Sequence, residues 1–198
     1  SESQDTAKIA TTNVVSTAAS TGTSDVATVA EQVLPSIVAI DVTAQTTTGY
    51  SMFGQQQKQE TKGSGSGIII AEKNNKMYIA TNNHVIEGAT SVTITFNNKK
   101  TAKATVKGTD SSKDLAIVEV DMSSLSSETL SSVKIAAIGD STKTKVGEQA
   151  IAIGNALGYG TSVTVGYISA KDREIDSEDS SSVKLLQTDA AINPGNSG

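Results

Sequence analysis

Asn193-Pro194-Gly195-Asn196-Ser197-Gly198 places a serine among small residues in a Gly-x-Ser-Gly turn, where a backbone can come close to a bound molecule. A serine hydroxyl is a poor nucleophile until a histidine takes its proton, and a carboxylate must hold that histidine in turn. The 198-residue sequence contains one histidine, His84, in Thr81-Asn82-Asn83-His84-Val85-Ile86. Asp114 follows in Lys113-Asp114-Leu115-Ala116-Ile117-Val118 as the candidate orienting carboxylate. Its competitor is Asp110, four residues earlier in a Gly-Thr-Asp-Ser turn. Histidine, aspartate, serine is one of three chain orders in which this triad occurs, and it goes with a pair of β-barrels.

Working outward, the pattern is that of an all-β protein. Ile37-Val38-Ala39-Ile40-Asp41-Val42 is rich in branched residues, and Ser91-Val92-Thr93-Ile94-Thr95-Phe96 alternates. Further strands are expected at 66–71, 77–81, 101–108, 115–120, 148–153, 162–170 and 183–188. Asp25 is placed to cap a short helix whose Val26, Val29, Ala30 and Val33 share one face, and Pro35 stops it. Residues 1–24, Ser/Thr/Ala-rich and without apolar period, read as a flexible tether, with a strand at Asn13-Val14-Val15 as the alternative. Residues 44–65 are expected to form a long loop ending in Gly63-Ser64-Gly65-Ser66-Gly67. The Ser-rich stretch from 121 to 145 reads as a crossover between two β units.

Composition removes several classes of function. A net charge of −5 without a basic cluster argues against nucleic acid or an anionic membrane surface as partner. The absence of cysteine removes disulfides, thiolate chemistry and zinc fingers, and one histidine is too few for a zinc site; no metal is expected. Ile68-Ile69-Ile70-Ala71 is far too short to span a bilayer. Gly154 to Gly160 has the glycine density of a dinucleotide loop, but Ser162-Val163-Thr164-Val165-Gly166-Tyr167-Ile168 after it alternates as a strand, whereas a phosphate loop opens a helix. Gly63–Gly67 lacks the Gly-Lys of a P-loop. No cofactor is expected.

Each candidate has a plainer reading when taken alone. A lone histidine is commonly a surface or core residue, an aspartate opening a strand a turn residue, and a Ser/Gly run a solvated tail. Together they are consistent with a first barrel supplying base and orienter and a second supplying the nucleophile. The matching stretches are then specific enough to carry a resemblance. They are Gly65-Ser66-Gly67-Ile68-Ile69, Ile79-Ala80-Thr81-Asn82-Asn83-His84-Val85-Ile86, Asp114-Leu115-Ala116-Ile117-Val118, Ile138-Gly139-Asp140-Ser141, Val146-Gly147-Glu148, Ala152-Ile153-Gly154-Asn155 and Gln187-Thr188-Asp189-Ala190-Ala191-Ile192 through Gly198. In this order, across roughly residues 25–198, the chain resembles the HtrA/Deg family of trypsin-like serine proteases.

The resemblance implies a trypsin-like double β-barrel with His84 as general base, Asp114 as its orienter and Ser197 as nucleophile. The backbone N–H groups of Gly195 and Ser197 would form the oxyanion hole. The position that selects basic side chains in the trypsin template, six residues before the nucleophile, holds Ala191 beside Ile192, so the expected specificity pocket favours small aliphatic residues. Asn155-Ala156-Leu157-Gly158 departs from the family's Asn-Pro-Phe-Gly, and the acidic stretch 172–183 falls where the family has a regulatory loop, with a solvated turn as the plain alternative.

The implied organisation is a tether (1–24), a helix and first barrel (25–121), a crossover (122–145) and a second barrel (146–198) left incomplete at its C-terminal side. An incomplete second barrel is expected to leave this chain with little peptidase activity by itself. Family resemblance further implies unfolded or damaged protein substrates, a homotrimer, an extracytoplasmic or bacterial cell-surface location, an upstream membrane anchor and a downstream PDZ domain. The rival readings are a non-enzymatic β-rich surface-binding module and a protease fold without activity.

Overall fold

The computed structural model describes residues 25–156, 160–175, 183–193 and 196–198. The expected tether, Gly195 with its expected oxyanion-hole N–H, Leu157-Gly158 and most of the acidic stretch after Asp172 lie outside the described residues. Asp25 caps helix α1 (Val26–Val33), its Oδ1 accepting from the Ala27 N–H at 3.3 Å. Pro35 sits in the single 3₁₀ turn (Leu34–Ser36) that ends it.

Six strands follow: β1 (Ile37–Tyr50), β2 (Gln56–Lys73), β3 (Lys76–Thr81), β4 (Ala89–Thr95), β5 (Thr101–Asp110) and β6 (Leu115–Asp121). They close into a barrel in the order β1-β2-β3-β6-β5-β4, every neighbour antiparallel. Closure leaves the barrel no free edge. The period-two pattern decides what goes inside: Val38, Ile40 and Val42 of β1, Met77 and Ile79 of β3, Val92 and Ile94 of β4, and Val118 and Val120 of β6 are buried together, with Ile69 and Phe96. Each such side chain contributes about 1.5–3 kcal/mol by leaving water. The β2–β3 connection is fixed by Asn74 and Asn75, at φ 51° and 59°, the left-handed pair whose twist matches the flanking strands.

The expected loop over 44–65 is not a loop. β1 runs on to Tyr50 and β2 begins at Gln56, with a continuous ladder from Thr43↔Lys62 to Tyr50↔Gln56 that shifts register only between Thr47 and Gly49. This arm projects beyond the core and is exposed over most of its length, so no apolar alternation marks it in the sequence. Its threonines and backbone hydrogen bonds carry it instead. The glycine run at its base is strand too, and it is small for a reason. A Cβ on Gly67 would run into Ile79 and Ile40, and one on Gly65 into Val85.

The connection after β6 is also more structured than its composition suggests. It holds a 3₁₀ turn (Met122–Ser124), helix α3 (Ser127–Ser132) and a second 3₁₀ turn (Ser141–Lys143). Polar side chains cap all three: Asp121 accepts from Ser123 N–H (3.0 Å), Ser126 from Thr129 N–H (3.2 Å) and Asp140 from Thr142 N–H (3.0 Å). Lys134 and Ala136 donate backbone bonds to Pro35 and Ile69 carbonyls, which laces the connection to the barrel.

Beyond it lie β7 (Gln149–Ala156), β8 (Gly160–Ile175) and β9 (Val183–Thr188), an antiparallel three-stranded sheet in the order β7-β8-β9 that does not close. β7 packs against β1 and β2, which brings this sheet to the barrel wall.

Candidate active site

β3 ends at Thr81 and the chain turns into α2 (Asn83–Ile86), one turn long. Val85 and Ile86 are buried in the barrel core and so fix this turn, while Gly88, at φ 70°, lets the chain leave it. His84 is thereby held on the outside, its side chain 55% exposed.

The turn between β5 and β6 brings Asp114 to it. Asp114 Oδ2 lies 2.6 Å from His84 Nδ1, and Oδ1 accepts the His84 backbone N–H at 2.8 Å. One carboxylate therefore grips both the ring and the main chain of the histidine. An ionised carboxylate only accepts, so the neutral ring carries its proton on Nδ1 and leaves Nε2 with a free lone pair. The contact is half open to water, so its value lies in orientation more than in charge attraction.

Two further groups hold Asp114, neither singled out from sequence. Its backbone is left-handed at φ 52°, uncommon for a non-glycine residue. The Asn82 side-chain amide donates to the Asp114 carbonyl at 2.8 Å and Asp114 N–H donates to the Ser111 carbonyl at 3.3 Å, which together fix that conformation. Asn82 was visible only as a neighbour of the histidine, because its partner lies 32 positions away. Asp110 is otherwise engaged. It ends β5, and its Oδ1 takes the Ser112 hydroxyl at 2.6 Å and the Lys113 N–H at 3.2 Å. The Ser112 hydrogen bond chiefly holds its carboxyl below the ordinary value.

Ser197 reaches the site along the seam between barrel and sheet. Its carbonyl accepts the Ser66 N–H at 2.6 Å. The space that a Cβ on Gly65 would fill is bordered by Val85 on one side and the Ser197 carbonyl on the other, so Ser197 lies beside the residue that follows His84. Across the seam, a Cβ on Gly154 would meet Asn196. The turn leading in is tied by Asn193 N–H to Asn196 Oδ1 (3.1 Å) and Asn196 N–H to the Asn193 carbonyl (3.2 Å). Among the described residues, no hydrogen bond joins Ser197 Oγ to His84. The structure thus pairs His84 with Asp114 and brings the Ser197 carbonyl near Val85 of α2, the turn that carries His84.

Ala191 and Ile192, the expected pocket residues, are exposed. The Ala191 carbonyl accepts from Thr164 Oγ1 at 2.7 Å, and Asp189 Oδ1 takes the Tyr167 N–H at 2.7 Å, so this segment lies along β8. A Cβ on Gly166 would collide with Asp189 and Ala190, which is why β8 carries a glycine there.

A barrel with a histidine–aspartate pair on its rim, and a Gly-x-Ser-Gly segment delivered from a second sheet, is the arrangement of a known family. Residues 65–198 match the family described as trypsin-like peptidase domain. The chain belongs to the trypsin-like peptidase family. Its relatives include the serine protease Do-like HtrB of Bacillus subtilis (strain 168), 39% identical over 189 residues that make up 92% of this chain and 40% of that protein. Another is a probable periplasmic serine endoprotease, DegP-like, from Pseudomonas savastanoi pv. phaseolicola, 41% identical over 142 residues, 72% of this chain and 27% of that one. Among solved structures, the HtrA-type protease AlgW with a decapeptide superposes at a TM-score of 0.66 with 27% identity, over 88% of this chain and 54% of that one. The resemblance to HtrA/Deg proteases drawn from the motifs is thereby met. This trypsin-like domain spans less than half the length of the curated relatives it matches.

Proposed function

We propose that the chain is the peptidase domain of a serine endopeptidase that cuts unfolded or damaged proteins outside the cytoplasm. His84 Nε2 takes the proton from Ser197 Oγ as the oxygen attacks the substrate carbonyl carbon. The oxyanion that forms is received by the N–H groups of Gly195 and Ser197. Collapse expels the amine, which leaves with the proton held by His84, and an acyl-enzyme remains on Ser197. Water, deprotonated by His84, releases the acyl group and restores the serine. Asp114 keeps Nε2 aimed at this chemistry and stabilises the imidazolium that forms. Ala191 and Ile192 would line a pocket for small aliphatic side chains.

The observation that carries this reading is the 2.6 Å contact between His84 Nδ1 and Asp114, which leaves the opposite nitrogen free as a base. A surface-binding module without chemistry gives no account of that pair. The periplasmic naming of the Pseudomonas relative supports an extracytoplasmic location. Among the described residues no helix is long and apolar enough to cross a membrane, so a membrane anchor rests on family resemblance, as do a homotrimer and a PDZ domain. A specific observation also favours a second reading, a protease fold resting in an inactive arrangement: Ser197 Oγ makes no hydrogen bond to His84 among the described residues.

The test is covalent. A fluorophosphonate probe added to the intact protein is expected to label Ser197 and to stop hydrolysis of unfolded casein. Hydrolysis that continues with Ser197 fully labelled overturns the proposed nucleophile. Absence of both labelling and hydrolysis favours the resting reading.

A further inference from the structure

One buried side chain in the seam is unused by the chemistry above. Ser66 of β2 is 1% exposed, and it meets three elements that are distant in sequence. Its N–H donates to the Ser197 carbonyl at 2.6 Å. Its carbonyl accepts from Thr81 Oγ1 at 2.8 Å, on the last residue of the strand that leads to His84. Its hydroxyl oxygen accepts the Asn155 N–H of β7 at 2.7 Å. The nucleophile segment, the histidine strand and the second sheet are therefore all bonded to one residue.

The surroundings are built for this contact. Gly65 before Ser66 and Gly154 before Asn155 leave room for Ser197 and Asn196, and a side chain at either would displace that peptide. Thr81 is itself buried at 2% exposure, so its hydroxyl has no water to turn to and stays on the Ser66 carbonyl. Among these contacts, the one to Asn155 is made by the side chain and changes with its identity. The other two are made by the Ser66 backbone.

We propose that Ser66 is a positioning residue: its hydroxyl clamps β7 to the barrel wall, and through its own backbone that clamp fixes the carbonyl of Ser197 by Gly65 and Val85, next to the turn that carries His84. The proposal rests on the reading of Ser197 as nucleophile. It makes the placement of the nucleophile conditional on the docking of β7 (Gln149–Ala156). A displacement of β7 would loosen Ser197 without touching the His84–Asp114 pair.

Hydrogen exchange in the intact protein, read on the peptides holding residue 66 and residue 155, separates this from a local structural role. In Ser66→Ala the Asn155 amide loses its acceptor and exchanges faster. The proposal further requires that the amide of residue 66, held by the Ser197 carbonyl, also exchanges faster, while β3 and β6 keep wild-type protection. Turnover of a fluorogenic peptide is expected to fall about a hundredfold in kcat with KM little changed, since a displacement of order 1 Å at the nucleophile costs that much. Faster exchange at Asn155 alone, with residue 66 protected and kcat unchanged, overturns the proposal.

Should Ser66→Ala fail to fold, Ser66→Cys keeps the shape with a weaker acceptor and is expected to show the same paired loss to a smaller degree. Wild-type protection at both amides in that variant is equally fatal. Exchange does not depend on catalysis, so a failed nucleophile assignment, seen in the fluorophosphonate experiment, stays distinguishable from a failed clamp.

Discussion

The barrel and the open sheet bury their apolar residues to different degrees, and they divide the site between them. In the barrel, Val38, Ile40, Ile69, Met77, Ile79, Ile94, Val118 and Val120 are wholly buried. In the sheet, Val163, Val165 and Tyr167 of β8 stand on an exposed face, and Leu185 and Leu186 of β9 are also exposed. The proposed base and orienter, His84 and Asp114, sit on the closed half, on short segments at the barrel's rim. The segment of the proposed nucleophile, Ser197, comes from the open half and meets the barrel wall through the bond from Ser66 N–H to the Ser197 carbonyl. The histidine–aspartate geometry is therefore a property of one barrel, whereas the serine's position depends on two bodies meeting.

The largest expected effect tests whether the two halves make one site. In the full-length protein, Ser197→Ala should lower kcat on an unfolded protein substrate by about a millionfold, the usual loss for a triad member, while thermal unfolding stays as in wild type. A variant that keeps a sizeable fraction of turnover would place the nucleophile elsewhere. Within the barrel half, Asp114→Asn should cost roughly ten-thousandfold, because an amide favours the wrong imidazole tautomer. Asp110→Asn, whose carboxylate is spent on Ser112 and Lys113, should be near neutral in kcat. The reverse ranking would move the orienting role to Asp110.

The difference in burial is open to direct test. Phe96→Ala removes a side chain that is 1% exposed in the barrel, and such deletions cost about 3–5 kcal/mol. Val165→Ala, at a position 43% exposed, should cost within about 0.5 kcal/mol, as surface changes usually do. Urea unfolding of both variants checks this. Equal losses would mean that the β8 face is covered in solution.

Legibility in the sequence followed the same division. The barrel strands were readable because one face of each is buried, which prints alternation onto the chain. The arm over 43–63 was not, since water on both faces leaves no pattern for the ladder to impose. The serines after Asp121 read as an unpatterned crossover because a cap looks like any polar residue until its helix is seen. His84 and Asp114 were legible as types in the right order. The left-handed backbone of Asp114 was not, because Asn82 and Ser111 hold it only once β3, β5 and β6 have met. Ser66 was the least legible, with its Asn155 partner 89 positions away.

The smallest effect comes from a charge at the barrel's far rim. Lys76 opens β3 opposite Asp121 at the end of β6, and their side chains meet at 2.9 Å. The Ser123 hydroxyl and the Lys76 ammonium together draw the Asp121 carboxyl from 3.8 down to about 2. A carboxyl that binds its proton more weakly in the folded chain stabilises that chain when ionised. The contribution is therefore complete above 3.8 and is lost as pH falls toward about 2. Both groups face solvent, so the effect is small and weakens with salt. Asp121→Asn cannot titrate there, and its Tm should fall less than that of wild type between about pH 5 and about pH 2.5, with the two curves closest at the acid end. Parallel curves over that interval would show that Asp121 is no better held in the folded protein than in the unfolded chain, and that the β3–β6 rim owes its stability to the backbone ladder alone.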